Sequence, residues 1–475
     1  MTTPSPPDRG GPFSLRSELR SLLRLAVPVT VVQVGMMLMG VVDTIMVGRV
    51  SAAAIAAVAL GSTYFFTVSI FGMGALLALD PIVAQAVGAR DSLAITRGLQ
   101  RGIVLALVLT AWTTLLMVPV ETVVTALRQP AEVVPIAAGY VRASIAGVFA
   151  FFGFTVLRQT LQAMERLRAI VVTMVIANVI NAVLNRVFVF GAFGVPAMGA
   201  VGTGWASSLS RWLMFGGLLA LAWAPLRPHL LPMRRDAAAA RPLWRMLRLG
   251  APIGIQFQLE FGAFGVVALF MGWFGTVQMA GHQVALNLAS FTFMFPLGIS
   301  AAAAVLVGHA VGRGDSVGAR RAAGTALLCG VGFMSLSGVA LLTLPELFAR
   351  LYTPEPAVIA IAATLIPLAG VFQVFDGTQV VSVGILRGIG DTRAPMIVNI
   401  LGFWVIGMPI SLWLGFRTAL GPRGLWWGLV VGLAAVAIFL VMRIRWRMGR
   451  GRELKRVVID APEEERLGAS DVVGV

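Results

Sequence analysis

The sequence predicts an all-α integral membrane protein with twelve transmembrane helices, arranged as two six-helix lobes related by an internal parallel repeat. Three observations carry that prediction. The first is composition: 58 % of the 475 residues are hydrophobic, only 12 % are charged, and mean hydropathy is +0.88. Soluble chains hold about 25 % charged residues, so this chain has too little charge to cover a water-facing surface. The second is arrangement, because the apolar residues fall into runs near the ~20 residues that one bilayer crossing needs. The third is self-similarity at a nearly constant offset across a whole half of the chain.

The first run, 24–47, follows a polar start with Pro4, Pro6, Pro7 and Pro12. It is too long for the apolar core of a signal peptide, so it reads as a retained span. Charged or Gly/Pro breaks then separate runs at 54–83, 100–120, 135–156, 165–190, 200–223, 246–270, 278–308, 321–343, 357–384, 394–415 and 425–443. Of the 37 basic residues, 29 fall on the side that carries both termini and 7 on the other, with Arg211 inside the sixth span. Basic loops stay on the cytoplasmic side, so both termini are expected there. The net charge of +16 is thereby read as topology rather than as a nucleic-acid surface.

The repeat is legible residue by residue. Pro28 and Pro252, Val87-Gly88 and Val311-Gly312, and Asp91 and Asp315 are each 224 apart. Arg168-Ala169 and Arg393-Ala394 are 225 apart, and Gly199, Gly202 and Trp205 match Gly421, Gly424 and Trp427 at 222. Six helices per half is an even number, so both halves enter from the same side and the repeat is parallel. The expected organisation is an N-terminal cytoplasmic segment 1–23, an N-lobe 24–223, a cytoplasmic joining loop 224–244, a C-lobe 245–445 and a cytoplasmic tail 446–475.

Four acids fall well inside the predicted spans: Asp43, Asp80, Glu260 and Asp376. A charge at a helix centre costs roughly 2.5–3.5 kcal/mol on insertion, so such residues face a cavity or a partner. Asp43 has Arg49 nearby and Asp80 lies close to Arg90, so both have an arginine to pair with. Few spans offer an arginine to Glu260 and Asp376. Their neighbours are polar instead. Gln256 and Glu260 share a helix face, and Gln373, Asp376 and Gln379 are spaced by three. Gln283 and Asn287 form a further pair, Asn178, Asn181 and Asn185 make a stripe, and Gln33, Met36, Gly40 and Asp43 share a face of the first span. His282 and His309 read as packing hydrogen-bonders, and Gly250-x-x-x-Gly254 as a close-packing motif.

Several enzyme classes are excluded. The one cysteine, Cys329, allows no disulfide within the chain and no cysteine-based metal site. Lys455 is the one lysine, so there is no Gly-x-x-x-x-Gly-Lys phosphate loop. ATP-driven pumping within the chain is ruled out, and an ion gradient is the remaining energy source. No cofactor motif is present.

Three motifs then carry a resemblance. Met39-Gly40-Val41-Val42-Asp43-Thr44-Ile45-Met46-Val47-Gly48, Gly281-His282-Gln283-Val284-Ala285-Leu286-Asn287 and Leu386-Arg387-Gly388-Ile389-Gly390-Asp391-Thr392-Arg393 resemble the first-helix, eighth-helix and tenth-to-eleventh-helix signatures of the multidrug and toxic compound extrusion (MATE) family, NorM-type branch. The similarity runs from about 20 to 445. It implies a monomeric antiporter of a bacterial inner membrane, exporting organic cations and other amphipathic drugs in exchange for H⁺ or Na⁺ by alternating access. Residue by residue, it implies coupling roles for Asp43 in the N-lobe and for Glu260 and Asp376 in a C-lobe cation site, with Asn181 and Asn185 near the N-lobe cavity. Gln33, Met36, Asn178, Gln256, Gln283, Asn287, Phe372, Gln373 and Gln379 are further cavity candidates, and Asp80 is a weaker one. The chain departs from the branch at Phe372, where the pattern has Tyr. The missing hydroxyl favours H⁺ over Na⁺ at Glu260 and Asp376. Two alternatives stay open: a lipid-linked oligosaccharide flippase of the same superfamily, which would line its cavity with arginine for pyrophosphate, and an intramembrane enzyme.

Overall fold

A computed structural model describes residues 15–449, 451–457 and 459–460. The proline-bearing start and the charged end, 461–475, lie outside the described residues. Helices account for nearly all of the rest: α1 (Leu15–Val47), α2 (Ala52–Leu76), α3 (Leu79–Gly88), α4 (Ser92–Met117), α5 (Val120–Ala126), α6 (Val133–Ile145), α7 (Val148–Ala163), α8 (Leu167–Phe190), α9 (Gly199–Leu221) and α10 (Trp223–Leu230) form one half. The other half holds α11 (Ala240–Trp273), α12 (Thr276–Gly312), α13 (Ser316–Thr343), α14 (Pro345–Arg350), α15 (Pro356–Gly388), α16 (Arg393–Asn399), α17 (Met408–Arg417) and α18 (Pro422–Arg447).

Among the described residues ten helical stretches are long and apolar enough to cross a membrane, and twelve result when each of two bent pairs is taken as one span. The bends are 49° between α6 and α7 and 89° between α9 and α10. Twelve spans were expected, but several have a different interior. The 54–83 run is two helices, α2 and α3, with a short turn between them. The first span begins at Leu15, well before the apolar run, because its charged first turns continue the same helix into the interface. The segment read as a joining loop holds α10, a 3₁₀ turn at Arg235–Ala238 and the first turn of α11. The eleventh span changes from α-helix to π-helix over Ile400–Gly407, whereas its counterpart α8 is regular throughout.

The repeat has a structural counterpart at its punctuation. Asp91 caps α4 by accepting from the Ala94 amide at 2.9 Å, and Asp315 caps α13 by accepting from the Gly318 amide at 2.7 Å. Gly199 and Gly421 open α9 and α18 at φ +55° and +54°, a conformation that favours glycine.

The two halves meet through α1 and α3 against α12, and α2 against α11. This seam lies at one end of the molecule, the arginine-rich face that carries the start of α1 and the end of α18. There Gly74 of α2 packs on Gly254 of α11, Gly250 on the Ala75 carbonyl, Gly298 on Thr30, and Gly88 on the backbone of His309. The Gly250 and Gly254 pair is thus a close-packing motif as expected, and it joins lobes rather than helices of one lobe. Among the described residues, the hydrogen bonds and ion pairs that link the lobes lie at this same face: Gln85 Nε2 donates to the Gly388 carbonyl at 2.9 Å, and His309 Nε2 to the Ala163 carbonyl at 2.7 Å. Deeper along the same helices the lobes meet through the rings of Phe66 and Phe261, with centroids 5.5 Å apart.

Candidate functional site: buried carboxylates in each lobe

In the N-lobe, Asp43 sits one turn from the end of α1 and is buried at 8 % exposure. Asn185 Nδ2 donates to its Oδ1 at 2.7 Å, and Ser207 Oγ to its Oδ2 at 2.8 Å. The helical spacing of the asparagine stripe explains the arrangement. Asn181 stands one turn before Asn185, lends its carbonyl to Asn185 Nδ2 at 3.0 Å, and donates from its own amide to Ser210 on α9 at 3.3 Å. Asn178 turns back to the Met174 carbonyl of its own helix and takes no part. Arg49, the arginine expected beside Asp43, makes no ion pair with it among the described residues. The nearby cation is Arg211, one turn past Ser207 on α9. Its guanidinium lies 3.9 Å over the Phe65 ring, and its charge reaches Asp43 and Tyr140 without forming an ion pair. Ser207 escaped sequence reasoning; its i, i+4 relation to Arg211 was the available signal.

In the C-lobe, Glu260 stands at the middle of α11, and Gln379 of α15 donates to its Oε2 at 3.3 Å. The same Nε2 donates to Asn399 Oδ1 at 3.2 Å, and Asn399 Nδ2 is anchored on the Pro395 carbonyl. Asn399 is the last α-helical residue before the π-helical segment, and nothing in its local sequence marked it. Asp376 lies one turn before Gln379, is buried at 6 % exposure, and has Glu260 as its charged neighbour. Among the described residues no hydrogen bond reaches Asp376. Gln256, one turn before Glu260, is buried. Phe372 is buried between Phe264 and Trp426, with ring centroids 6.0 and 5.9 Å away. Gln373 is fully buried and accepts from Thr292 at 2.7 Å.

Other candidates go elsewhere. Gln283 is exposed and donates to Asn287 Oδ1 at 3.1 Å. Met36 is half-buried against the continuous apolar core that both halves share. Gln33 accepts from Arg158 Nη1 at 3.0 Å. His309 bonds across the seam as a packing histidine, while His282 packs edge-on against Trp426 at 5.6 Å with neither ring nitrogen hydrogen-bonded.

Asp80 differs in kind. It is buried at the start of α3, and Arg387 Nε from the end of α15 approaches its Oδ2 at 3.0 Å. Gln159 donates to the other oxygen, and Arg158 completes the cluster. The partner is thus Arg387 of the other lobe and not Arg90. Arg387 was counted as a loop residue, although it belongs to the last turn of α15. Among the described residues three embedded carboxylates are therefore free of any ion pair, and the fourth is one half of a buried bridge across the seam.

Fold and site together define a two-lobed polytopic membrane protein with ion-pair-free carboxylates buried in both halves. The MatE family model matches it twice, over residues 28–187 and 252–413, the two starts 224 apart as in the internal repeat. The chain belongs to the MatE family. Multidrug resistance protein MdtK of Yersinia pseudotuberculosis is 36 % identical over 442 residues, covering 90 % of this chain and 95 % of the relative. The MdtK of Pectobacterium atrosepticum is 36 % identical over 439 residues, covering 90 % and 96 %. The fold is also that of the eukaryotic MATE transporter AtDTX14, with a TM-score of 0.83, 23 % identity and coverage of 90 % and 96 %. An outward-facing multidrug resistance MATE family transporter superposes with a TM-score of 0.82 at 21 % identity, covering 91 % and 96 %.

Proposed function

We propose that the chain is a secondary multidrug efflux antiporter that exports cationic and amphipathic small molecules, with Glu260 and Asp376 as the principal ion-coupling carboxylates and Asp43 as a second, N-lobe carboxylate. The observation that carries this reading is the contrast among the four embedded acids. Asp80 is neutralised by Arg387, whereas Asp43 is held by Asn185 and Ser207 with Arg211 near but not ion-paired, Glu260 accepts from Gln379, and Asp376 has Glu260 as its charged neighbour. An unpaired buried carboxylate is expensive, so each calls for a proton, a metal cation or a cationic substrate. Ion and drug then compete for the same compensation, and that competition couples their movements. The lobes, 24–223 and 245–445, rock about the glycine-lined seam to expose a cleft between them to one side and then the other.

The coupling ion we favour is H⁺. Phe372 presents a ring where a hydroxyl would supply a hard ligand, and hard cations prefer oxygen-rich sites. Two neighbouring carboxylates need only one proton between them. Arginine clustering at the seam face supports a cytoplasmic position for that face, both termini and the 224–244 loop in a bacterial inner membrane. The MdtK relatives and the transporter structures support export over the flippase and enzyme alternatives. Dye efflux in inverted vesicles, with a pH or a Na⁺ gradient imposed separately, tests the reading. Efflux driven by ΔpH and indifferent to Na⁺ is expected; strong Na⁺-driven efflux without ΔpH refutes the H⁺ preference, and no gradient-driven efflux refutes antiport.

A further inference from the structure

A second feature of the arginine-rich face lies outside the glycine-lined seam. A groove of about 300 Å³ opens between the start of α1 and the first turns of α13, lined by Leu15, Val317, Arg320, Arg321, Gly324 and Leu328. Five of these share one face of α13 at three- and four-residue spacing. Val317, Leu328 and Leu15 are 50, 61 and 45 % exposed, so the walls are apolar surface left uncovered by the described residues. A Cβ on Gly324 would meet nothing within 4 Å, and neither would one on Gly332, two turns deeper on the same face. Leu336, 73 % exposed, continues the track. At 1.5 Å per residue, Gly324 to Leu336 spans about 18 Å, comparable to an acyl chain. Arg320 spends Nη1 on the Met448 and Gly449 carbonyls, both at 3.2 Å, and guanidinium has five N–H donors in all.

We propose that this groove is a binding site for one anionic phospholipid. Its phosphodiester sits at Arg320 and Arg321, and an acyl chain lies along Gly324, Leu328, Gly332 and Leu336. Charge complementarity selects the occupant, because two guanidinium groups at the level where the helix enters the bilayer match a negative headgroup. An apolar track running from that level into the hydrocarbon rejects a free anion. The groove joins α1 of one lobe to α13 of the other, so the lipid braces the two lobes at the arginine-rich face. Placing the site in the cytoplasmic leaflet rests on the orientation proposed above; the binding itself does not.

The test uses the full chain in detergent, titrated with phosphatidylglycerol or phosphatidylcholine and read by native mass spectrometry. One phosphatidylglycerol should remain bound under conditions that strip phosphatidylcholine. Each removed charge should weaken retention about fivefold, so Arg320→Gln with Arg321→Gln should lose well over tenfold. Lysine at both positions should restore most of it. Because Arg320 also holds the end of α18, Gly324→Trp serves as the second variant: it fills the groove with both arginines intact and should abolish retention. Unchanged binding to Gly324→Trp, equal retention of phosphatidylcholine, or displacement by inorganic phosphate overturns the proposal. Reporter fusions decide the orientation separately.

Discussion

The four embedded acids fall into two settings according to whether an arginine pairs with them. Asp80 has a fixed arginine, and removing one member of a buried pair costs about 3–5 kcal/mol. Asp80→Asn should therefore lower thermal stability sharply, and adding Arg387→Gln should restore much of it; equal stability of the single and double variants would show that the pair is not coupled. Glu260→Gln and Asp376→Asn should leave folding intact and abolish gradient-driven efflux, since an amide cannot alternate between charged and neutralised states. Dye efflux at the wild-type rate in both variants would make them structural acids. Outside the spans, the His309 hydrogen bond holds the Glu165 carboxyl below its ordinary range, with the two side chains 3.4 Å apart across the seam. A depressed carboxylate contributes stability above its unfolded pKa and loses it as pH falls through the lower folded value. The stability advantage of the native chain over Glu165→Gln should thus be lost as pH falls below about 4. Melting temperatures across that range check the sign.

At the scale of elements, the duplicated sequence produces duplicated punctuation. Asp91 and Asp315 cap equivalent helices, and Asp→Ala at either should cost about 1 kcal/mol, measurable as a similar fall in thermal stability for both. The lobes then diverge where the chemistry does. The π-helical segment after Asn399 has no counterpart in α8, and it follows directly on the residue that shares Gln379 with Glu260. π-Bulges recur at functional sites, and here the change follows the residue whose Oδ1 accepts from Gln379, the amide that also donates to Glu260. The crossing of α2 and α11 depends on Gly74 meeting Gly254. Gly254→Leu should force the arginine-rich end open, seen as increased thiol labelling of cysteines introduced beside Gly74; unchanged labelling would show that the crossing tolerates a side chain.

Over the whole molecule, the arginine-rich face is closed by more than the two lobes. Residues 451–457, 459 and 460 lie across it: Val457 N donates to Gln85 Oε1 at 2.7 Å, and Arg245 Nη1 to the Ile459 carbonyl at 2.9 Å. Asp460 pairs with Arg97 and Arg101, at 3.2 and 2.7 Å, while Asp236 shares the same arginines. Because these contacts reach both lobes, truncation after Met448 should loosen the closed end and shorten its lifetime, read as faster labelling at the same introduced cysteines. Reporter fusions at the 224–244 loop and at the C-terminus should both give cytoplasmic signals; a periplasmic signal from either would overturn the orientation.

The class of the molecule was legible in the sequence alone. Hydropathy is a local average, so composition and run length determined an all-helical membrane protein, and the constant offset between Pro28 and Pro252 determined its duplication. The embedded acids were legible for the same reason, because a charge inside an apolar run is visible without a structure. Their partners were not. Asp43 was read beside Arg49 and Asp80 beside Arg90, the arginines nearest in the chain, but the partners are Asn185, Ser207 and Arg387, brought in from distant helices. Gln85 and Gly388 meet across 303 residues. Helical periodicity fixes which residues share a face, and says nothing about which face of another helix will meet it. Only packing decides that, so which carboxylates are left without an ion pair was settled by the tertiary structure.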